Sequence, residues 1–153
     1  MKRFLFYSLV IAVTGFLIIS CNNNEKEPVI AKKTLVDSLQ ELVDDGHIAG
    51  MAKMGKLTRL QQKATQLLDS INKLPAKAQQ NIAGYKAKLE EVLKDLNYAE
   101  FAMDKWMNEF YSKDTTIKVE SERVEFLQLE NQKVVKVKEA ILSGINKADS
   151  LFR

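Results

Sequence analysis

The chain has 153 residues, of which 46% are hydrophobic and 28% are charged, and its formal net charge is +3. Its length and its content of only two prolines and six glycines favour one ordered helical domain over wholesale disorder. Lys2 and Arg3 lie in an N-terminal segment that we expect to be removed, which leaves the mature chain nearly neutral. This balance argues against a protein that binds nucleic acid.

The N-terminus has the pattern of a targeting segment. A short basic stretch, Met1–Arg3, precedes an almost continuous apolar run, Phe4–Ile19. The run is shorter than the roughly 20 apolar residues of a bilayer-spanning helix and is typical of the core of a signal peptide. It ends in Ile18–Cys21, which resembles the lipobox of bacterial lipoproteins. We therefore predict cleavage after Ser20 and lipidation of Cys21. The alternative is an uncleaved anchor with an incidental cysteine.

Cys21 is the only cysteine, so it has no partner for an intramolecular disulfide and no second thiolate for zinc. Acyl chains such as palmitate on Cys21 would make a membrane the first partner of the protein. The polar residues 21–32 are interpreted as a tether. By resemblance to lipoprotein sorting rules, Asn22 favours the outer membrane. Glu25 and Glu27 are similar to the surface-export signals of Bacteroidota lipoproteins, so a periplasmic and an external position both stay open.

Helical periodicity is clearest in the middle of the chain. Apolar residues follow one another there at alternating steps of four and three, which predicts the seam of a coiled coil. The ten residues of this seam are Ala78, Ile82, Tyr85, Leu89, Val92, Leu96, Ala99, Met103, Trp106 and Phe110. The pattern predicts one continuous helix from Ala78 to Phe110.

A helix on each side completes the predicted domain. The first begins with a capping box at Thr34 and ends before Pro75, which can open the second helix. A polar turn at 112–116 leads to a third helix from about Val119 to Leu151, where Asn131 falls near the seam as a register residue. Residues 33–153 are therefore predicted to form an all-α, antiparallel three-helix bundle.

Gly46, Gly50 and Gly55 lie within ten residues of the first predicted helix. Each glycine costs up to about 1 kcal/mol relative to alanine inside a helix. One interpretation is a break near Gly46–Gly50 that adds a short helix to the bundle. The other is a neighbouring helix that approaches a backbone without side chains. The sequence leaves both open.

The antiparallel arrangement brings His47 of the first helix level with Met103 of the second, one turn from Trp106. Imidazole and thioether groups suit soft ions such as Cu(I) and Ag(I), and an indole face can add a cation–π contact. The candidate metal ligands are His47, Met51, Met54, Met103 and Met107. Under another interpretation these methionines only fill core space. In a third, a partner helix binds an apolar patch that comprises Met51, Met54, Met103, Trp106 and Phe110.

No nucleophile motif and no glycine-rich loop after a strand is present in the sequence. We therefore expect no enzyme, no catalytic residue and no cofactor other than the lipid on Cys21. The leading hypothesis is a lipid-anchored helical bundle of the cell envelope that acts as a structural or protein-interaction module. The alternative is a lipoprotein that binds or buffers a soft metal ion.

Several short motifs in residues 34–150 resemble those of small Bacteroidota lipoproteins that carry the label "viral A-type inclusion protein". The similar positions are His47, Met51, Met54-Gly55, Arg59-Leu60, Trp106-Met107, Phe110 and the valine- and lysine-rich segment Val134–Ala148. The chain departs from this family at Ile48, where the resemblance implies an acidic residue. The loss of that acidic neighbour weakens the metal interpretation, and the family implies a coiled coil but no established activity.

Overall fold

The structure, a computed structural model, describes residues 33–153. The predicted signal peptide, Cys21 and the tether lie outside these residues. The described part of the chain contains helices and turns but no strand, and the predicted all-α bundle is confirmed. Its helices are α1 (Leu35–Asn72), α2 (Ala76–Asn81), α3 (Ala83–Asp114) and α4 (Glu120–Leu151).

Helix α1 begins at the predicted capping box. The backbone N–H of Asp37 donates to the Thr34 hydroxyl oxygen (3.1 Å), and the backbone N–H of Thr34 donates to the Asp37 carboxylate (3.0 Å). The helix then runs without interruption for 38 residues, through Gly46 and Gly50. The interpretation of a helix break near Gly46–Gly50, one of the two left open by the sequence, is therefore wrong, and the extra short helix lies elsewhere.

That short helix is α2. The helix that was predicted to be continuous from Ala78 to Phe110 is interrupted at Ile82, which separates α2 from α3. Ile82 has φ −117° and ψ 16°, and its carbonyl accepts a hydrogen bond from Lys86 at the start of α3 (3.0 Å). Gln79 donates from its side chain to the carbonyls of Asn72 (3.2 Å) and Leu74 (2.8 Å). Asn72 is the last residue of α1, and Leu74 lies in the turn that follows, so these hydrogen bonds join α2 to the end of α1 and to this turn.

The core forms where α1, α3 and α4 pack against one another. Its largest cluster fills most of the length of the bundle, and a smaller one, made of Ala64, Ile71 and Leu89, lies toward the α1–α3 connection. The fully buried side chains of the large cluster are Val43, Leu57, Leu96, Ala99, Met103, Leu127, Val134, Ile141 and Ala148.

Contacts at the two ends of the bundle define its up-down-up topology. At one end, Arg123 near the start of α4 pairs with the Asp114 carboxylate (2.7 Å) and donates to the side chain of Gln40 (2.8 Å). At the other end, the ammonium group of Lys63 lies 4.7 Å from the centre of the Phe152 ring. Helices α1 and α4 are therefore parallel, and α3 runs between them in the opposite direction.

Candidate functional site

The site centres on a histidine and a methionine from different helices. His47 lies on α1 and Met107 on α3, and both side chains are half-buried. The His47 Nε2 atom is 3.3 Å from the Met107 Sδ atom. In one tautomer Nε2–H donates a weak hydrogen bond to the sulfur. In the other tautomer, Nε2 carries a lone pair, so that both atoms of this contact are potential metal ligands.

The indole of Trp106 lies beside His47, and contacts with Glu130 and Phe110 hold it in position. Its ring centre is 5.4 Å from that of His47, with an angle of 47° between the planes. The indole Nε1–H donates to the Glu130 carboxylate (3.0 Å), and Lys133 donates to the other carboxylate oxygen (2.7 Å). Phe110 stacks on the indole at 5.2 Å. Because its N–H and one face are both engaged, the orientation of the Trp106 ring is fixed.

The glycines of α1 explain how the three helices come together here. A Cβ atom on Gly46 would lie 2.7 Å from Cγ1 of Val134, and a Cβ atom on Gly50 would lie 2.4 Å from Cε of Met103. Both distances are too short for real contacts, so α3 and α4 occupy the space that side chains would need. For a Cβ atom on Gly55, by contrast, the nearest atom is Nη1 of Arg59 at 3.9 Å, which leaves room for a side chain. Close helix approach, the second interpretation of the glycines, thus applies to Gly46 and Gly50.

The structure separates the other predicted site residues into different environments. Met103 is fully buried, and its terminal methyl group lies against Gly50. Met54 is partly buried and packs on the core, whereas Met51 is 42% exposed. Of the five candidate metal ligands, the described contacts bring His47 and Met107 directly together.

The predicted apolar patch is not a surface in this structure. Met103, Trp106 and Phe110 are buried in the core, so together they present no continuous apolar surface on which a partner helix could lie. The sequence pattern already contained the signal for this burial, because all three residues belong to the seam of the second predicted helix. A position on the seam faces the inside of the bundle.

Sequence reasoning also missed Glu130, which is 2% exposed. Asn131, the predicted register residue, is only partly buried. A signal was present, because Glu130 lies three residues after Leu127 and four before Val134. It therefore occupies an interior position of the apolar repeat of α4. The buried polar residue of α4 is thus one position earlier than predicted.

An apolar groove on the outside of α3 and α4 was likewise not predicted. It has a volume of about 210 Å³, and Trp106 and Val137 lie in its lining. Tyr98 and Phe101 stand beside it with 63% and 61% of their surfaces exposed. The lining also contains Ala102 and three charged side chains, which are Lys105, Glu109 and Lys133.

A larger groove of about 570 Å³ lies further along the same pair of helices, and its lining includes Lys88, Glu91 and Lys147. The ammonium group of Lys147 is 2.5 Å from the Asp95 carboxylate and 3.6 Å from that of Glu91. The hydrogen bond to Asp95 and its charge raise the pKa of Lys147, with a smaller contribution from Glu91. This cation is therefore already paired with two carboxylates.

The described residues thus form a three-helix bundle with one additional short helix, a His–Met–Trp cluster and an aromatic groove. Within residues 33–153, no group of three or more His, Cys, Asp or Glu side chains is arranged to hold a metal ion. None of the helices in this range is long and apolar enough to cross a bilayer. No protein-family model, curated protein or solved structure matches the chain.

Proposed function

We propose that this chain is a lipid-anchored protein of the bacterial cell envelope whose bundle binds a partner protein in the groove between α3 and α4. The anchor is supported by the apolar run 4–19, which ends directly before Ser20 and Cys21. The outer membrane is favoured by Asn22, the second residue of the proposed mature chain. The protein acts by binding rather than by catalysis.

The observation that carries the binding role is the exposure of Tyr98 and Phe101 beside an apolar floor. Large aromatic side chains dominate the energetics of protein interfaces, because each buries a large area and loses little conformational freedom. Two such residues at a spacing of three lie on one face of α3. Trp106, fixed by Glu130, gives the floor of the groove a defined shape.

A helix with one apolar face fits this groove best. The groove runs between two antiparallel helices, and an amphipathic helix docks in such a position through apolar side chains at spacings of three and four. Lys133 on the rim of the groove is already paired with Glu130 (2.7 Å), whereas the ammonium group of Lys105 lies 3.8 Å from the Glu109 carboxylate and is well exposed. Lys105 is therefore the cation that favours a partner with an acidic residue beside its apolar face. We therefore expect the partner to supply an amphipathic helix with an acidic flank.

Photo-crosslinking in living cells tests this proposal. A photoreactive phenylalanine derivative replaces Phe101 in the full-length chain, and Tyr85 is replaced in the same way as a control. Tyr85 is also an exposed aromatic residue of α3 but lies outside the groove. We expect a crosslinked adduct from position 101 and not from position 85, with the crosslink on an amphipathic helix of the partner.

A charge reversal sharpens the test. Lys105→Glu should lower the yield of the adduct because it repels an acidic flank, whereas Lys88→Glu, also on α3 but outside this groove, should not. Equal labelling from positions 85 and 101, or a crosslink on a segment without an apolar helical face, would contradict the proposed mode of binding.

A further inference from the structure

His47 and Met107 place two metal-ligand atoms at one point between α1 and α3. Their Nε2 and Sδ atoms are 3.3 Å apart. With metal–ligand bonds of about 2 Å or longer, a linear arrangement of nitrogen, ion and sulfur would need these two atoms to be about 4 Å or more apart, so the angle at a shared ion is well below 180°. Such an angle is bent, so the geometry suits a three- or four-coordinate ion rather than a linear two-coordinate one.

We infer that His47 and Met107 form a binding site for a soft monovalent ion, Cu(I) or Ag(I), beside the indole of Trp106. The site shares the indole of Trp106 with the α3–α4 groove, but its ligands lie between α1 and α3, and it does not depend on the function proposed for that groove. Met51 supplies the third ligand from α1. It lies one turn beyond His47, and its exposed, flexible thioether can turn toward the ion.

The donor set decides which ions the site takes. Thioether sulfur is a soft and neutral ligand, so it favours Cu(I) and Ag(I) over Mg(II), Ca(II) and other hard ions. A cluster of carboxylates that would favour hard ions is not found among residues 33–153. Neutral ligands also leave the charge of the ion uncompensated, and an aromatic face nearby lowers the cost of holding a cation.

The surrounding structure holds the two ligands in place before an ion arrives. Gly50 lets Met103 pack directly against the backbone of α1, which keeps α1 and α3 close at this level. Glu130 fixes Trp106 from the opposite side. Met107 follows Trp106 directly on α3, so its backbone position is fixed with that of the indole. Little rearrangement is therefore needed on binding.

The test is a titration of the full-length chain with silver nitrate in detergent and chloride-free buffer. The chain carries Cys21→Ser, because a free thiol would bind Ag(I) more tightly than any thioether. Trp106, the only tryptophan, reports binding through its fluorescence. We expect saturable quenching at one equivalent of Ag(I), and a shift of the His47 ring-nitrogen resonances at the same equivalence point.

Matched methionine substitutions locate the site. Met107→Leu should weaken binding at least tenfold, and Met51→Leu should weaken it less. Met54→Leu should leave it unchanged, since Met54 packs on the core. Leucine conserves the volume of methionine and seldom unfolds a core, and circular dichroism verifies that each variant is folded. The inference is overturned if no one-equivalent saturation occurs, if Met107→Leu binds like the parent chain, or if the His47 resonances do not move.

Discussion

Glu130 is the one polar or charged side chain buried in the core of the described residues. Its carboxylate accepts hydrogen bonds from the indole N–H of Trp106 and from the ammonium group of Lys133. A buried polar group without a hydrogen-bond partner lowers the stability of the folded state. Removal of either partner of a buried hydrogen bond leaves the other in this condition. Glu130 and Trp106 therefore depend on each other.

This dependence predicts that Glu130→Leu destabilises the protein by about 1–3 kcal/mol, because the indole N–H stays buried without an acceptor. Glu130→Gln should cost less, since its amide oxygen can still accept from Trp106. Urea unfolding followed by circular dichroism measures both changes. In a double-mutant cycle, Trp106→Phe should remove part of the cost of Glu130→Leu. Additive effects of the two substitutions would show that the residues are not coupled.

At the start of α1, the capping box makes one carboxylate sensitive to acid. The hydroxyl of Thr34 donates to Asp37 at 2.8 Å and its backbone N–H at 3.0 Å, and these hydrogen bonds lower the pKa of Asp37, with a smaller contribution from the charge of Lys33. A carboxyl whose pKa is lower in the folded state stabilises that state above the unfolded value. This contribution is lost as the pH falls through the folded value.

We therefore expect the stability difference between the parent chain and Asp37→Asn to be constant at neutral pH and to shrink below about pH 4. Thermal unfolding between pH 2 and pH 7 measures this difference. Asp69→Asn, which removes an exposed aspartate from the same helix away from the cap, serves as the control. A difference that grows as the pH falls would contradict the sign of this prediction.

The helices approach one another most closely at the glycines of α1. We expect Gly46→Ala to destabilise the bundle by about 1–3 kcal/mol, because the added methyl group meets the stiff, fully buried side chain of Val134. Gly55→Ala, in the same helix but in open space, should instead stabilise it by up to about 1 kcal/mol. Chemical denaturation of the two variants compares a packing effect with a helix-propensity effect. Equal effects of both substitutions would argue against close packing at Gly46.

The ends of helices were predicted well where particular side chains mark them, and less well where only the backbone conformation changes. The capping residues at Thr34 and the stop before Pro75 are chemical signals and were found in the sequence. The break at Ile82 was not, because the apolar repeat continues through it. The spacing between Ile82 and Tyr85 fits the apolar repeat whether or not the backbone between these residues is helical. The hydrogen bonds that hold α2 to the preceding turn run from Gln79 to the carbonyls of Asn72 and Leu74, and the apolar repeat contains no signal for them.

The break at Ile82 predicts where the bundle opens first. Helix α2 has six residues, none of them buried, and packs against α3. A helix this short is unstable without tertiary support. In hydrogen exchange followed by mass spectrometry, peptides from 76–82 should therefore exchange well before those that contain Leu57 or Met103. Equal protection of these segments would show that α2 belongs to the same cooperative unit.

At the scale of the whole molecule, antiparallel pairing was enough to predict that His47 lies near Trp106 and Met107. It was not enough to decide which side chains are exposed. Tyr98 and Phe101 face solvent while Trp106 faces the core, and this depends on the rotation of α3 about its axis. Spacing along the chain gives relative positions on a helix, but neighbouring helices decide which face is covered. The groove therefore became visible only in the assembled bundle.

The proposed anchor makes a prediction for the whole chain. Cys21→Ser should abolish the incorporation of radiolabelled palmitate and release the protein from the membrane fraction. Ser20→Thr, a conservative change at the neighbouring position, should retain part of the labelling. Mass spectrometry of the parent chain should find residue 21 as its first residue. Labelling that persists in Cys21→Ser would place the lipid elsewhere or show that it is not a lipoprotein of this type.

The parallel arrangement of α1 and α4 has a mechanical consequence. Residue 33 lies at the end that Arg123 closes, whereas Phe152 lies beside Lys63 near the other end. About 30 residues of α1 separate these levels, or roughly 45 Å at 1.5 Å per residue. A pull between Cys21 and Arg153 would therefore shear α1 against α4 along their whole interface instead of peeling them apart. In such a shear geometry many contacts between α1 and α4 must break together, and the rate of unfolding governs the response to force.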